Sequence, residues 1–314
     1  MGPCFVDAHC HVSTVVDTVG SDEVRNGMGT LLVETDVRRC VMSTNAYDWE
    51  ILGSLAGLDG AGSGCFAASL GVHPWYCHLY SFDRAVGKEE HYRSVLKSKD
   101  DAELVEVIRQ LPDPIDLLGY MSEEQVSRVA CIGEIGLDKV FRLPKNGFLN
   151  SVGASLGNVR VEFKHQVRVF EAMLDVAKRH DLPVSIHSVK CQGTLFDICK
   201  EILLNSKVNV CLHSFTGTHD SLRLWLTTFP HERLFFSVSA WINLKDIDAG
   251  VETLKHLPLE CILTETDCTV DRIPLQEQRQ MIGSVLDAIA TAHGISKNTA
   301  EETVLQNFHR FLRR

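Results

Sequence analysis

The sequence predicts a closed (β/α)8 barrel, or TIM barrel, in a single domain over residues 1–314. Two observations lead to this fold. Short apolar runs recur eight times along the chain, and several of the segments between them have helical periodicity. Strands that alternate with helices form parallel sheets, and eight such units close into a barrel. The runs also end on polar, often ionisable residues, as strands do at the active face of a barrel. An open, doubly wound sheet is the alternative.

The eight runs predict the barrel strands in chain order. They are Cys4–His11, Cys40–Thr44, Phe66–Gly71, Val129–Glu134, Pro183–His187, Val208–His213, Leu234–Ser239 and Cys261–Asp267. Apolar residues at helical spacing predict helices over 163–177, 195–202 and 282–289, and a closing helix over 296–312. Strand and helix signals therefore alternate over most of the chain, as βαβ units require.

Two stretches are too long to be plain barrel connections, and we interpret them as loop insertions near the C-terminal face. Residues 75–128 hold a charged run at 88–91 and a proline-rich piece at 111–114, while residues 139–159 are rich in Gly, Asn and Ser. Gly, Asn and Ser clusters are typical of surface loops. The insertions either shape substrate access or decorate the surface, and they are also the candidate contacts for a protein partner.

Composition excludes several classes of protein. The formal net charge is −10, whereas proteins that coat nucleic acid are usually basic, so a phosphate substrate would need metal ions to hold it. We expect no membrane span, because no apolar run reaches the necessary length. The 11 cysteines are odd in number and lack C-x-x-C spacing, which indicates reduced thiols. With no signal peptide pattern at the start, we expect a cytoplasmic protein, with the nucleus as the alternative.

Ligand-type side chains recur at the predicted strand ends. Asp7, His9 and His11 alternate on the first strand and therefore share one face. Four further residues end other strands: Glu134, His187, His213 and Asp267. Each alone has an ordinary structural explanation, such as a hydrogen-bonded core histidine or an ion-pair partner. Together at one end of a barrel, so many ionisable groups would be costly to bury without a cation, and the sequence therefore predicts a divalent metal site.

Six ordered motifs resemble those of the TatD-type metal-dependent deoxyribonucleases, within the amidohydrolase-like barrel superfamily. They are Asp7-Ala8-His9-Cys10-His11, Gly71-Val72-His73-Pro74, Gly133-Glu134-Ile135-Gly136-Leu137-Asp138, Ile186-His187-Ser188, His213-Ser214-Phe215-Thr216-Gly217 and Glu265-Thr266-Asp267. The resemblance covers most of the chain outside the two insertions. It implies a divalent-metal-dependent hydrolase that cuts the phosphodiester bonds of DNA.

The resemblance also implies a two-metal centre, with Mg, Mn or Zn as the ions. In this arrangement His9, His11 and Asp267 hold one ion. His187 and His213 hold the other, and Glu134 bridges the two. Paired ions activate a water molecule and stabilise the attacking and leaving oxygens. Glu134 and Asp267 are the predicted catalytic residues, with Asp267 taking the proton of the water.

Four more residues are predicted to contact substrate or to orient ligands. We expect His73 to hydrogen-bond a phosphate oxygen, although Pro74 offers a purely structural reason for its position. Glu265 lies two residues before Asp267 on the same strand face, so it is expected to assist or orient that residue. Asp138 and Asp7 are expected to orient ligands as well.

Two other functions stay open at this point. The same paired metals would also hydrolyse an amide or ester of a small molecule. Alternatively, the chain is a non-catalytic interaction protein that retains the barrel. A nuclease should carry basic and aromatic groups around the barrel mouth to hold a strand and stack its bases. The candidates are Trp75, Tyr76, Lys139, Phe141, Arg142, Lys145 and Trp241.

Overall fold

The computed structural model describes residues 4–12, 28–29, 32, 36–56, 66–145, 147 and 155–313. Eight strands form one sheet in which sequential strands are neighbours and every assigned pair is parallel. The strands are β1 (Phe5–His11), β2 (Val37–Met42), β3 (Phe66–Leu70), β4 (Cys131–Asp138), β5 (Val184–Val189), β6 (Val210–Leu212), β7 (Leu234–Ser239) and β8 (Ile262–Glu265). Each one overlaps a strand that the sequence predicts.

The last strand lies beside the first, and residues 267–270, which follow it, close the barrel by pairing with the end of β1. The backbone N–H of Asp267 donates to the carbonyl of His9 at 3.0 Å, and the N–H of His11 donates to the carbonyl of Cys268 at 2.8 Å. The N–H of Val270 then donates to the carbonyl of His11 at 2.9 Å. The predicted TIM barrel is therefore confirmed, and an open sheet is excluded because β1 and β8 are not free edges.

Helices follow most of the strands, and the predicted ones all form. They are α1 (Ala46–Ala56), α2 (Lys88–Val95), α3 (Asp101–Gln110), α4 (Leu117–Tyr120), α5 (Glu123–Val126), α6 (Phe163–His180), α7 (Gln192–Leu203), α8 (His219–Thr228), α9 (Ile247–Leu254), α10 (Leu275–His293) and α11 (Lys297–Leu312). The hydroxyl of Ser296 caps α11 by accepting from the N–H of Thr299. Within the described ranges, none of the helices is long and apolar enough to cross a membrane.

The barrel strands are buried on both faces, as their near-continuous apolar runs require. In β4, every residue from Cys131 to Asp138 is buried. Helix α6 covers this part of the barrel with an apolar face that includes Phe170 and Met173. Burying each large apolar side chain contributes about 1.5–3 kcal/mol, so the barrel is a stable frame for the residues at its mouth.

One strand differs from its prediction in a way that matters for the site. The sequence predicts that the fourth strand ends at Glu134, but β4 continues to Asp138. The register between β4 and β5 shifts between Ile132 and Ile135. At Gly136 the φ angle is 149°, and an added Cβ would lie 2.0 Å from the carbonyl oxygen of His187. This close approach of two backbones lets the strand continue past the irregularity.

The two predicted insertions contact each other. Residues 75–128 contain helices α2 to α5, and the N–H of Asn158 in the second insertion donates to the carboxylate of Glu103 at 2.9 Å. The segment Leu96–Lys97 also pairs in antiparallel fashion with Arg160–Val161, which directly follow the second insertion. The N–H of Glu162 also donates to the carbonyl of Val95 at 2.8 Å. Within the second insertion, Pro144 and Leu156 form a β-bridge, while residues 146 and 148–154 lie outside the described part of the chain.

Candidate metal centre

The ligand-type residues meet at the C-terminal mouth of the barrel. β1 supplies His9 and His11, β4 supplies Glu134, and β5 supplies His187. His213 directly follows β6, and Asp267 follows β8 by two residues. The cavity there has a volume of about 240 Å³, and its lining is His11, Thr44, His73, Trp75, Tyr76, Glu134, His187, His213, Asp267 and Thr269. The structure thus brings together all six residues that the sequence predicts as metal ligands.

Glu134 lies at the middle of this group and is only 3% exposed. Its Oε1 atom is 2.9 Å from His213 Nε2 and 3.0 Å from His187 Nδ1. Its Oε2 atom is 3.4 Å from His9 Nε2 and 3.5 Å from His11 Nε2. The two oxygens of one carboxylate therefore face two separate pairs of imidazoles, which is the arrangement that a bridging ligand needs.

Asp267 approaches the β1 histidines from the opposite side. Its Oδ1 atom lies 3.4 Å from His11 Nε2 and 3.8 Å from His9 Nε2. The backbone of Asp267 has a φ angle of 54°, in the left-handed region that non-glycine residues seldom adopt. Its N–H bond to the carbonyl of His9 holds this conformation, which places the carboxylate at the mouth. The side chain keeps 23% of its surface exposed, so solvent reaches it.

A polar group lies beside the outer nitrogen of three imidazoles, at hydrogen-bond distance in the case of His9. His9 Nδ1 lies 2.8 Å from Ser185 Oγ. His213 Nδ1 lies 3.6 Å from Glu265 Oε1. His187 Nε2 lies 3.8 Å from Asp138 Oδ2, and Asp138 also accepts from the indole of Trp75. In each ring the nitrogen with the outer partner is not the one that faces Glu134, and such partners set the tautomer and aim of ligating histidines.

Asp7 lies apart from the cavity and supports it through the backbone. Its carboxylate accepts from the N–H of Thr266 at 2.9 Å and from the hydroxyl of Thr266 at 2.8 Å. Burial raises the pKa of Asp7 to about 6, against the opposing influence of Arg39 and Thr266. Since Thr266 immediately precedes Asp267, the contact of Asp7 fixes the loop that carries the Asp267 carboxylate.

His73, predicted as a substrate contact, lies in the cavity lining beside Glu134. Its Nε2 atom is 3.2 Å from Glu134 Oε1. Side-chain nitrogen and oxygen atoms of His73, Glu134 and His187 all lie within 4.8 Å of one another. The N–H of Trp75 donates to His73 Nδ1 at 3.1 Å. Burial lowers the pKa of His73 to about 4, so the ring is neutral and carries its proton on Nε2. That nitrogen is a hydrogen-bond donor to a carboxylate or phosphate oxygen, rather than a metal ligand.

The centre holds its carboxylates in the charged form. Burial raises the pKa of Glu134, but His73, His213 and His9 outweigh that effect and hold it well below its usual range. Burial raises the pKa of Asp267, but the hydrogen bond from His11 and the nearby His213 and His9 together lower it below its usual value. Burial lowers the pKa of His213, yet Glu134 and Glu265 raise it well above its usual value. Protons on such imidazoles compete with metal ions for the same nitrogens.

The residues fit divalent metal ions. His9 Nε2 is buried and makes no hydrogen bond with any described residue, although it faces the oxygens of Glu134 and Asp267. An orphaned buried polar atom of this kind is costly unless a ligand satisfies it. The ligand atoms of His9, His213 and Asp267 all lie within 4.8 Å of one another, and so do those of His9, His11 and Glu134. Neutral imidazoles with carboxylates suit Zn, Mn and related ions.

Only some of the aromatic and basic residues that the sequence singled out lie at the metal cavity. Trp75 and Tyr76 line the cavity, and Phe141 stacks on Trp75 with ring centroids 5.5 Å apart. Lys139 Nζ lies over the ring of Phe163 at 4.7 Å. Trp241 is half exposed and is not part of the cavity lining, and neither is Lys145. Sequence reasoning missed Thr44 and Thr269, whose positions at loop starts carry no motif.

Comparison with known proteins identifies the family of the chain. The sequence model described as TatD related DNase matches residues 6–313. An uncharacterized deoxyribonuclease of Saccharomyces cerevisiae, YMR262W, is 41% identical over 319 residues, which cover 98% of this chain and 99% of the yeast protein. The chain belongs to the TatD-related DNase family. The resemblance of the six motifs is therefore confirmed.

A further relative and two solved structures extend the comparison. The Cut9-interacting protein scn1 of Schizosaccharomyces pombe is 26% identical over 306 residues, covering 84% of this chain and 86% of that protein. A TatD family hydrolase from Entamoeba histolytica has a TM-score of 0.63 at 16% identity, over 99% of this chain and 98% of that one. The TatD homologue YJJV of Escherichia coli has a TM-score of 0.62 at 19% identity, over the whole of both chains. These structures support the fold.

Proposed function

We propose that this TatD-family protein is a deoxyribonuclease that hydrolyses phosphodiester bonds of DNA with two divalent metal ions. The observation that carries the proposal is the position of the Glu134 carboxylate. Its Oε2 atom faces His9 and His11, whereas its Oε1 atom faces His187 and His213 together with the donor His73, all at 2.9–3.5 Å. A single ion needs one such group of ligands, whereas two adjacent groups that share a carboxylate suit a pair of ions.

In this proposal His9, His11 and Asp267 hold one ion, His187 and His213 hold the other, and Glu134 binds both. Two ions in such a centre supply an activated water and stabilise the attacking and leaving oxygens. Mg, Mn and Zn all remain consistent with the mixed ligands.

The chain's own residues then have separate tasks. Asp267 is ionised because His11 lowers its pKa, and its partly exposed carboxylate is placed to accept the proton of the attacking water. His73 carries a proton on Nε2 and offers it to a phosphate oxygen in the cavity, in line with the role predicted from the sequence. Glu265, Asp138 and Asp7 hold His213, His187 and the Asp267 loop in place.

Nucleotide release from end-labelled single- and double-stranded DNA tests the proposal. We compare chelated protein, protein restored with each metal, and the variant Glu134→Gln, which keeps the shape but removes the shared charge. The matched control is Glu124→Gln, an exposed glutamate on α5. We expect metal-dependent cleavage that falls by a factor on the order of 10² or more in Glu134→Gln and is unchanged in Glu124→Gln. Full activity in Glu134→Gln would contradict the assignment.

The remaining functions predict different outcomes of the same assay. Two bound ions without cleavage of any DNA would favour a small-molecule amide or ester as substrate. The absence of both bound metal and cleavage would favour an interaction protein, the role for which the S. pombe relative is named. Metal analysis of the purified protein counts the ions in either case.

Two further proposals concern the setting of this activity. We propose that the chain acts as one catalytic domain, because α11 at its end packs against β1 at its start. We propose the cytoplasm or nucleus as its compartment, because the ten cysteines among the described residues are all free thiols. Thiols of this kind are typical of reducing compartments.

A further inference from the structure

A second cleft lies where the two insertions meet. Its volume is about 580 Å³, and its lining is Lys97, Ser98, Lys99, Asp100, Arg142, Asn158 and Arg160. Four of these residues are cationic and one is anionic, on a chain whose formal net charge is −10. The cleft is thus a local reversal of the charge of the whole protein, and this reversal needs an explanation.

The contacts of the cleft leave part of its positive charge without compensation. Lys97 pairs with Glu162 at 3.1 Å, and the carboxylate of Asp100 is occupied by the first amides of α3 at 3.0 and 3.3 Å. Lys99 and Arg142, by contrast, form no ion pair with any other residue in the described ranges. Lys99 is exposed and Arg142 is half-buried, so both remain available to an anion from solvent.

The walls of the cleft are held in place by the fold. Leu96–Lys97 and Arg160–Val161 form the antiparallel pair that joins the insertions. Arg160 Nη1 points at the backbone carbonyls of Lys139 and Val140, 3.4 Å from each. This contact ties the cleft to the turn that directly follows β4, which is the strand that carries Glu134.

An aromatic pair connects the cleft to the metal cavity. Phe141 directly precedes Arg142, and its ring stacks on Trp75 at an interplanar angle of 18°. Trp75 lines the metal cavity, and its indole donates to Asp138 Oδ2 at 2.8 Å. Both rings are half-buried and therefore keep part of their surface open. Cationic groups beside open aromatic rings are the combination with which proteins bind single-stranded nucleic acid.

We propose that this cleft binds the phosphate backbone of single-stranded DNA whose scissile phosphodiester lies at the metal centre. Lys99 and Arg142 contact phosphates, and a base between the two sites packs against Trp75 and Phe141. A single strand fits better than a duplex, because only unpaired bases expose the faces that such rings contact. The inference rests on the proposed nuclease function and adds to it a binding site formed by the insertions.

The test is the double variant Lys99→Gln/Arg142→Gln, which removes two cations that no described ion pair needs. The matched control is Arg179→Gln/Lys207→Gln, which removes two exposed cations near the opposite end of the barrel. Binding of a fluorescent thymidine oligonucleotide is measured by anisotropy with metal chelated, so that no cleavage occurs. Each phosphate contact contributes about 0.7 to the slope of log affinity against log salt for single strands.

We expect the double variant Lys99→Gln/Arg142→Gln to lower that slope by about 1.4 and to weaken binding roughly tenfold near physiological salt. The control variant should show no change in either. Phe141→Leu should weaken binding without changing the slope, because stacking carries no charge. In the metal-loaded enzyme, the Lys99→Gln/Arg142→Gln variant should have a higher KM for a long oligonucleotide and an unchanged kcat. Cleavage of a dinucleotide, whose one phosphodiester would lie at the metal centre, should stay at the wild-type rate.

Three outcomes would overturn the inference. The first is an unchanged salt slope in the Lys99→Gln/Arg142→Gln variant, and the second is an equal loss of affinity in the control variant. The third is a larger loss of affinity for duplex than for single-stranded DNA. The proposed nuclease function fails separately, through the absence of metal-dependent cleavage by the wild type. Since the anisotropy measurement needs neither metal nor turnover, it tests the cleft whichever way the cleavage assay turns out.

Discussion

Glu265→Gln is the change that isolates the support of the metal centre from the centre itself. Glu265 is fully buried, and its carboxylate accepts hydrogen bonds from the hydroxyls of Ser214 and Ser237. It also faces His213 Nδ1 at 3.6 Å. Glutamine has nearly the same shape, so the barrel should stay folded. What disappears is the negative charge behind the imidazole.

The magnitude follows from that geometry. Replacing the outer partner of a ligating histidine costs about 10–100-fold in metal affinity, or about 1.4–2.8 kcal/mol. The pKa of His213 is raised by Glu134 and Glu265 in spite of burial, so losing Glu265 lowers it. Protons then compete less well for the ring in acid. We therefore expect the loss of affinity to be largest at alkaline pH and to shrink as the pH falls.

Isothermal titration of Mn²⁺ into the chelated protein measures this effect at several pH values. Glu201→Gln, at an exposed position on α7, is the control for a lost carboxylate. Circular dichroism checks that both variants are folded. A folded Glu265→Gln protein that binds Mn²⁺ as tightly as the wild type at every pH would refute the reasoning that Glu265 acts through His213.

Two further predictions concern the stability of the frame. Burial lowers the pKa of His165 from 6.5 to about 4, and the Nε2 atom of the folded ring donates to the carbonyl of Cys77. As the pH falls, His165 is therefore protonated in the unfolded chain before it is protonated in the folded one. The unfolding free energy should fall by about 3 kcal/mol between pH 6.5 and 4 through this residue, and urea denaturation should show a smaller fall in His165→Gln. Gly136→Ala should lower the melting temperature sharply, because the added Cβ would clash with the carbonyl of His187. At Gly193 an added Cβ has open space, so Gly193→Ala should leave the melting temperature unchanged or raise it. Equal melting temperatures for the two glycine variants would contradict the assigned contact.

The barrel could be predicted because its signals are local. Each of the eight strands is a short apolar run, and the spacing of Phe163, Val167 and Phe170 is enough to indicate α6. Strand bounds were less certain, as β4 shows by extending to Asp138. Its continuation depends on Gly136 and on the neighbouring strand, which no window of the sequence contains.

The candidate site could be predicted as a set of residues but not as an arrangement. Strand ends of a barrel converge, so His9, His187 and Asp267 were expected at one mouth. The proton position on His73 was not predictable, because it depends on the N–H of Trp75 reaching Nδ1. Arg142 was a basic candidate from the sequence, but its meeting with Lys99 in one cleft was not predictable, since the two are distant in sequence and come together only in the folded chain.

The sequence by itself determined the order of strands and helices, the identity of the ligand-type residues and the family of the protein. These depend on periodicity and residue chemistry, which are properties of single segments. Only the tertiary structure decided which imidazoles face each oxygen of Glu134, which groups orient them, and where positive charge collects on an acidic chain. Those are distances between segments far apart in sequence, and they are set by strand register and by the packing of the insertions on each other.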